Sequence, residues 1–233
     1  VWLVAIGIGA GALTTLVGLG GGALLVAGLA AAWHDPVRAL AVTSPALLAG
    51  NLHRAWWFRA ELDLGAVRGF AVAGFAGAAV GGALALAVPP AMVTGALVAS
   101  GLLVVLRESG RVPVSVPARW LPAAGLGIGV ASTAGAGLLA GPVLLATGLR
   151  GGAYVGAVAV AAASMHLGRL LTLSAGGGTD AATWRDAALL AGCIPLGNVL
   201  GARLRGAVPD GWRGRLEVAG ALSVLGAALA GVG

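Results

Sequence analysis

The sequence predicts an all-α polytopic membrane protein of two inverted repeats, each a broken or re-entrant Gly-rich segment followed by three transmembrane helices. Three observations lead there. The 233 residues are 59% hydrophobic and only 9% charged, with a mean hydropathy of +0.98, far from the balance of a soluble domain. Apolar stretches near the ~20 residues that span a bilayer follow one another along the chain. A Gly-rich break occurs twice inside such a stretch, at Thr15-Leu16-Val17-Gly18-Leu19-Gly20-Gly21-Gly22 and at Ser132-Thr133-Ala134-Gly135-Ala136-Gly137. Thr15/Gly18/Gly20 and Ser132/Gly135/Gly137 share one spacing at a constant offset of 117 residues, which suggests an internal duplication.

The apolar segments, in order, are 1–32, 38–58, 64–88, 91–106, 121–149, 151–174, 184–203 and 215–232. They form one transmembrane domain: repeat one at 1–106, a linker at 107–120, repeat two at 121–233. The linker is the longest polar stretch, with Arg107, Glu108, Arg111 and Arg119 beside Pro113 and Pro117. The N-terminal segment lacks the basic start of a signal peptide and is not read as one. Segments one and five run to roughly 30 residues. As single helices they would rise about 45 Å, against a hydrocarbon core of about 30 Å. Each is expected instead as two half-helices that meet at the Gly-rich break and return to the side they entered from.

Charge supports that reading. All 14 basic residues are Arg, for a net charge of +6. If segments one and five crossed once, the arginines would divide almost evenly between the two sides. With both re-entrant, Arg38, Arg169 and Arg185 fall on one side and the other arginines on the opposite one, a clear positive-inside bias. Each repeat then crosses three times, and an odd number forces the two repeats into opposite orientations, with both termini outside. Irregular backbone cannot face lipid, so both breaks are expected at the protein centre. Gly77-x-x-x-Gly81 and Gly197-x-x-x-Gly201 occupy matching places late in the third segment of each half, a spacing that lets helices approach closely.

Broken helices at matching positions are where transporters place their substrates. A half-helix that starts at a Gly-rich break offers free N–H groups and a positive dipole end, an arrangement suited to a small anion. Residues 18–22 would open one such half-helix, with Gly18, Gly20, Gly21 and Gly22. Residues 135–138 would open the other, with Gly135 and Gly137. Thr14, Thr15, Ser132 and Thr133 either add hydroxyl donors or satisfy local backbone carbonyls. Thr43, Ser44 and Asn51 form a polar stripe on segment two, though Thr43-Ser44 before Pro45 also fits relief of a Pro kink. His53 and Arg54 precede Trp56-Trp57-Phe58, which resembles an interfacial belt, so this pair is expected at a gate. Asn51-Leu-His-Arg54 corresponds loosely to His166-Leu-Gly-Arg169, at an offset of 115 for the arginines. Ser164, His166 and Arg169 are deeper candidates in segment six. Arg169 either lines an anion pathway or snorkels to the interface. Asn198 completes the set of polar core candidates.

The absences narrow the function. Every Asp and Glu lies at a segment end or in a loop, so no proton or sodium relay built on carboxylates is expected. Any coupled proton would have to be carried by a His or by the anion itself. The three His are scattered, Cys193 is alone, and no metal, cofactor or nucleophile arrangement appears. An enzyme and a nucleic-acid partner are both unexpected. The arginines read as anchors at headgroups, and the bilayer is the main partner. Small-residue faces permit a homodimer without requiring one.

Thr15 through Gly22, Val42-Thr43-Ser44, His53 before Glu61-Leu62-Asp63, and Ile194-Pro195-Leu196-Gly197-Asn198-Val199-Leu200-Gly201-Ala202-Arg203-Leu204 together resemble the sulfite exporter TauE/SafE family of permeases. The resemblance covers nearly the full chain, although the second Gly-rich segment lacks the triple Gly of the first. It implies export of sulfite, an organosulfonate or a related small sulfur-containing anion across a bacterial inner membrane, without a cofactor. The rival expectations are transport of another small anion, such as a carboxylate, and a membrane assembly or scaffold role.

Overall fold

The computed structural model describes residues 2–17, 21–108, 116–132 and 139–208, together with 219, 222 and 226. Its regular structure there is helical throughout: α1 Trp2–Val17, α2 Gly21–Trp33, α3 Pro36–Trp57, α4 Leu64–Ala87, α5 Pro90–Glu108, α6 Leu121–Ala131, α7 Ala140–Ala146, α8 Gly151–Ala175 and α9 Ala181–Arg205. A single 3-10 turn, Ala118–Trp120, leads into α6. α4, α8 and α9 are long and apolar enough to cross a membrane, by length and composition; α1 and α2 are apolar but shorter. Segments one and five are each divided between two helices. The junctions themselves, 18–20 and 133–138, lie outside the described residues, as does nearly all of the expected segment 215–232.

Helix starts follow from local chemistry. Asp35, Asp63 and Asp180 sit in extended conformation just before α3, α4 and α9, and each carboxylate accepts a backbone N–H three residues on. Pro36 then opens α3, where its missing N–H costs no hydrogen bond. Asp180 is the most strongly engaged of the three. It accepts the Thr183 hydroxyl at 2.6 Å and the Thr183 N–H at 2.7 Å, and these bonds hold its carboxyl below the ordinary carboxylate value. The charged form is favoured in the folded state, so its stabilisation is complete above the unfolded value of about 3.9. It is lost as pH falls through the lower folded value. Asp180→Asn keeps a capping oxygen but cannot titrate. The acid-induced fall in thermal midpoint is therefore expected to be shallower in this variant than in the native protein, measured by unfolding in detergent.

α2 turns back along α1. Gly21 packs on the Ala10 carbonyl and the Thr14 hydroxyl so closely that a Cβ there would strike both. In one continuous helix residues 10 and 21 would be about 16 Å apart. Further along the hairpin, Leu24, Leu25 and Gly28 share a groove with Ile6, Gly9, Ala10 and Leu13.

The remaining packing is set by glycines that bring backbones into contact. Gly197 and Gly201 of α9 lie on the Ile8 and Ala12 carbonyls of α1, and Gly11 lies on the Ile194 carbonyl. Gly125 and Gly129 of α6 lie on the Phe70 and Gly74 carbonyls of α4, while Gly77 faces the Leu126 carbonyl. Gly197 and Gly201 of one GxxxG segment, and Gly77 of the other, thus sit at two close crossings, α9 on α1 and α4 on α6. In lipid such contacts hold by van der Waals packing rather than by the hydrophobic effect.

Residue register fixes the helix directions. α1 and α9 run parallel, as do α4 and α6. α3 runs parallel to α9, with Arg38 paired to Asp186 at 3.5 Å near one end and the Asn198 amide bonded to the Gly50 carbonyl at 2.8 Å further along. α4 runs parallel to α8, since Gly168 meets Phe75 and Thr172 bonds to Ala79. α3 and α8 run antiparallel: Ser44 contacts Arg169, and Phe58 and Leu62 contact Gly156. Hence α1, α3 and α9 point one way and α4, α6 and α8 the other. α3 packs on α2, α8 and α9, and lies at the centre.

Candidate functional site: a buried cationic centre

His166 and Arg169 are three residues apart and therefore share a face of α8. That face turns inward. Arg169 is 2% exposed and is not a snorkelling anchor. Its guanidinium joins three helices: Nε donates to Ser44 Oγ of α3 at 2.9 Å, Nη1 to the Ser132 carbonyl at 2.9 Å, and Nη2 to His166 Nδ1 at 2.7 Å. Ser132 immediately follows α6, so its carbonyl belongs to the negative, unpaired end of that helix. A guanidinium can only donate, so His166 Nδ1 must accept. The imidazole facing it is neutral, with its proton on Nε2. The Ser44 hydroxyl donates in turn to the Leu40 carbonyl at 2.6 Å.

Arg54, expected with His53 at a gate beside the aromatic belt, is held as deeply as Arg169. It too is 2% exposed. Nη1 donates to the Thr14 carbonyl at 3.0 Å and Nη2 to Asn51 Oδ1 at 2.6 Å. Thr14 lies in the last turn of α1, where the carbonyls again lack helical partners. The two arginines therefore repeat one arrangement: each binds the open end of a half-helix and a side chain three residues earlier. The physical reason for the burial is that the Arg54 side of this turn packs toward the end of α1 and toward α8, while Trp56 and Trp57 of the same turn are exposed. His53, one residue away, is half-buried beside the Trp56 and Trp57 rings, at 6.5 and 5.9 Å between centroids.

The remaining polar candidates divide between tying helices and serving their own backbone. Thr15 Oγ1 donates to Asn198 Oδ1 at 3.0 Å, and Asn198 passes the link to the Gly50 carbonyl, joining α1, α9 and α3. Asn51 donates to the Leu47 carbonyl at 2.8 Å while accepting from Arg54. Thr14, Thr43, Ser132 and Ser164 bond carbonyls three or four residues earlier, at 2.6 to 2.7 Å. Gly21 and Gly22 open α2. Gly18, Gly20, Thr133, Gly135 and Gly137 lie outside the described residues. Arg205, read from sequence as an interface anchor, reaches the Thr15 and Gly151 carbonyls at 3.4 Å each.

Neither Arg54 nor Arg169 has a carboxylate partner among the described residues, where the ion pairs are Arg38–Asp186 and Arg185–Asp186. No cluster of His, Cys, Asp and Glu that would hold a metal occurs there either. Burying a cation without a counter-charge is expensive. Two such cations inside a bundle mark a place where a negative charge is welcome.

Helices of this length and polarity around a buried cationic centre define a multi-pass membrane protein of the transporter class. The sulfite exporter TauE/SafE family model matches residues 3–229, and the chain belongs to that family. Membership implies a membrane transporter of sulfur-containing anions rather than an enzyme. No curated protein and no solved structure matches the chain.

Proposed function

We propose that the protein exports sulfite, an organosulfonate or a closely related small anion by alternating access around a central site at its two Gly-rich helix breaks, one in each of two inverted repeats, 1–106 and 121–233. In this reading the anion site lies where the two Gly-rich segments meet α3 and α8. The membrane is the bacterial inner membrane and both termini lie outside. The observation that carries the proposal is Arg169, fully buried, bound to a half-helix end and, among the described residues, without a carboxylate. The opposed directions of α1, α3, α9 and of α6, α8, α4 support the inverted repeat, because α1, α3 and α4 are antiparallel to α6, α8 and α9 in turn. The guanidinium supplies charge, and the helix ends keep the site rigid. No described carboxylate lies within hydrogen-bond reach to repel the anion.

The test is sulfite flux into proteoliposomes that contain the native chain. Saturable flux, competed by organosulfonates, is the expected result. Absence of flux above empty liposomes, from protein shown to be folded, would overturn sulfite as substrate; competition by carboxylates alone would move the assignment to those anions.

A further inference from the structure

The two arginine clusters match closely but not completely, and the mismatch is informative. Asn51 and His166 occupy the same place relative to Arg54 and Arg169, and the Thr14 and Ser132 carbonyls do likewise. Arg169 has a third partner, Ser44, on Nε. Arg54 Nε is buried and has no partner among the described residues. The 115-residue offset that relates the two arginines carries Ser44 onto Ala159, a fully buried side chain without an oxygen. The antiparallel register of α3 and α8 agrees. Ser44 lies opposite Arg169 and Phe58 opposite Gly156, which puts Arg54 level with Ala159.

A buried N–H of a charged group without an acceptor is uncommon, and a bound ion is one reason for a native protein to keep one. Here the surroundings add positive charge, since Arg205 reaches the Thr15 carbonyl, next to the Thr14 carbonyl that Arg54 holds. Ten residues of α3 separate Ser44 from Arg54, a backbone rise of about 15 Å, so Arg169 and Arg54 engage different turns of one helix.

We propose that Arg54 is a second anion-binding group, which takes one oxygen of a small oxyanion on its open Nε–H. Ala159 is the position that keeps that donor open. The anion would move between the Arg54 and Arg169 stations along α3. This inference rests on the anion-transport reading above and adds to it a site, a donor atom and a second station.

The experiment measures equilibrium binding of radiolabelled sulfite to the purified full chain in detergent, with Arg54→Gln and Ala159→Ser beside the native protein. Thermal unfolding without anion checks that each is folded. Ala159→Ser supplies Nε with the acceptor that Ser44 supplies to Arg169. Affinity is expected to fall about tenfold in each variant, the loss of one charge-assisted hydrogen bond. If Arg54→Gln does not fold, Ala159→Ser decides alone. Native-like sulfite affinity in folded Ala159→Ser and Arg54→Gln would overturn the proposal and leave Arg54 as a structural cap on α1. Failure of the native protein both to bind and to carry sulfite would instead overturn the transport reading on which the proposal rests.

Discussion

Arg169→Gln is expected to lower anion flux by roughly 100-fold or more, because the anion loses both a full charge and a paired set of donors. The side chain also joins Ser44, Ser132 and His166. Glutamine replaces at most two of those three donated bonds, so a drop in thermal midpoint will accompany the loss of flux. Arg169→Lys separates the two effects. The ammonium restores the charge but not the planar fork, and flux is expected to recover in part while the midpoint stays low. The measurement is proteoliposome flux beside detergent unfolding for all three proteins. Flux within twofold of native in folded Arg169→Gln would remove this arginine from the pathway.

The second large effect concerns packing. Gly197→Leu is expected to prevent assembly of the bundle, and Gly197→Ala to cost about 1–3 kcal/mol. Any Cβ there would enter the Ile8 carbonyl and crowd the Ala12 nitrogen, backbone atoms that cannot rotate away. Gly192, on the same helix, has open space where its Cβ would go. Gly192→Leu is therefore expected to change stability by less than about 0.5 kcal/mol. Yield of monodisperse protein and its thermal midpoint in detergent compare the pair directly. Equal behaviour of the two variants would mean that the α1–α9 crossing is looser than the glycine contacts require.

Much of this architecture was legible because membrane physics leaves few options. Apolar runs gave the helices, and the length of segments one and five against the bilayer required a division near Gly18 and Gly135. Gly77 and the Gly197/Gly201 pair marked the two close crossings. Arg169 stood out because a cation inside an apolar run must either reach the headgroups or meet polar partners within the protein. The burial of Arg54 was not legible, because Trp56-Trp57-Phe58 looks like a membrane-interface belt and sequence does not show that Arg54 turns to the open end of α1. The match of Asn51-x-x-Arg54 with His166-x-x-Arg169 was the available signal. The carbonyl partners of both arginines were not legible, since every residue type carries the same backbone oxygen. Nor does sequence reveal that Thr14, Thr43, Ser132 and Ser164 spend their hydroxyls on their own helices.

The glycine crossings have a mechanical consequence. Where backbones touch without intervening side chains, neighbouring helices have no slack in which to slide. α9 is locked to α1, and α4 to α6, so each unit borrows a helix from the other half of the chain. One body then comprises α1, α2, α3 and α9, and the other α4, α6, α7 and α8. The main contact between these bodies is α3 against α8. Any rearrangement that opens first one face and then the other must be absorbed along that seam, and the Arg169–Ser44 bond spans it.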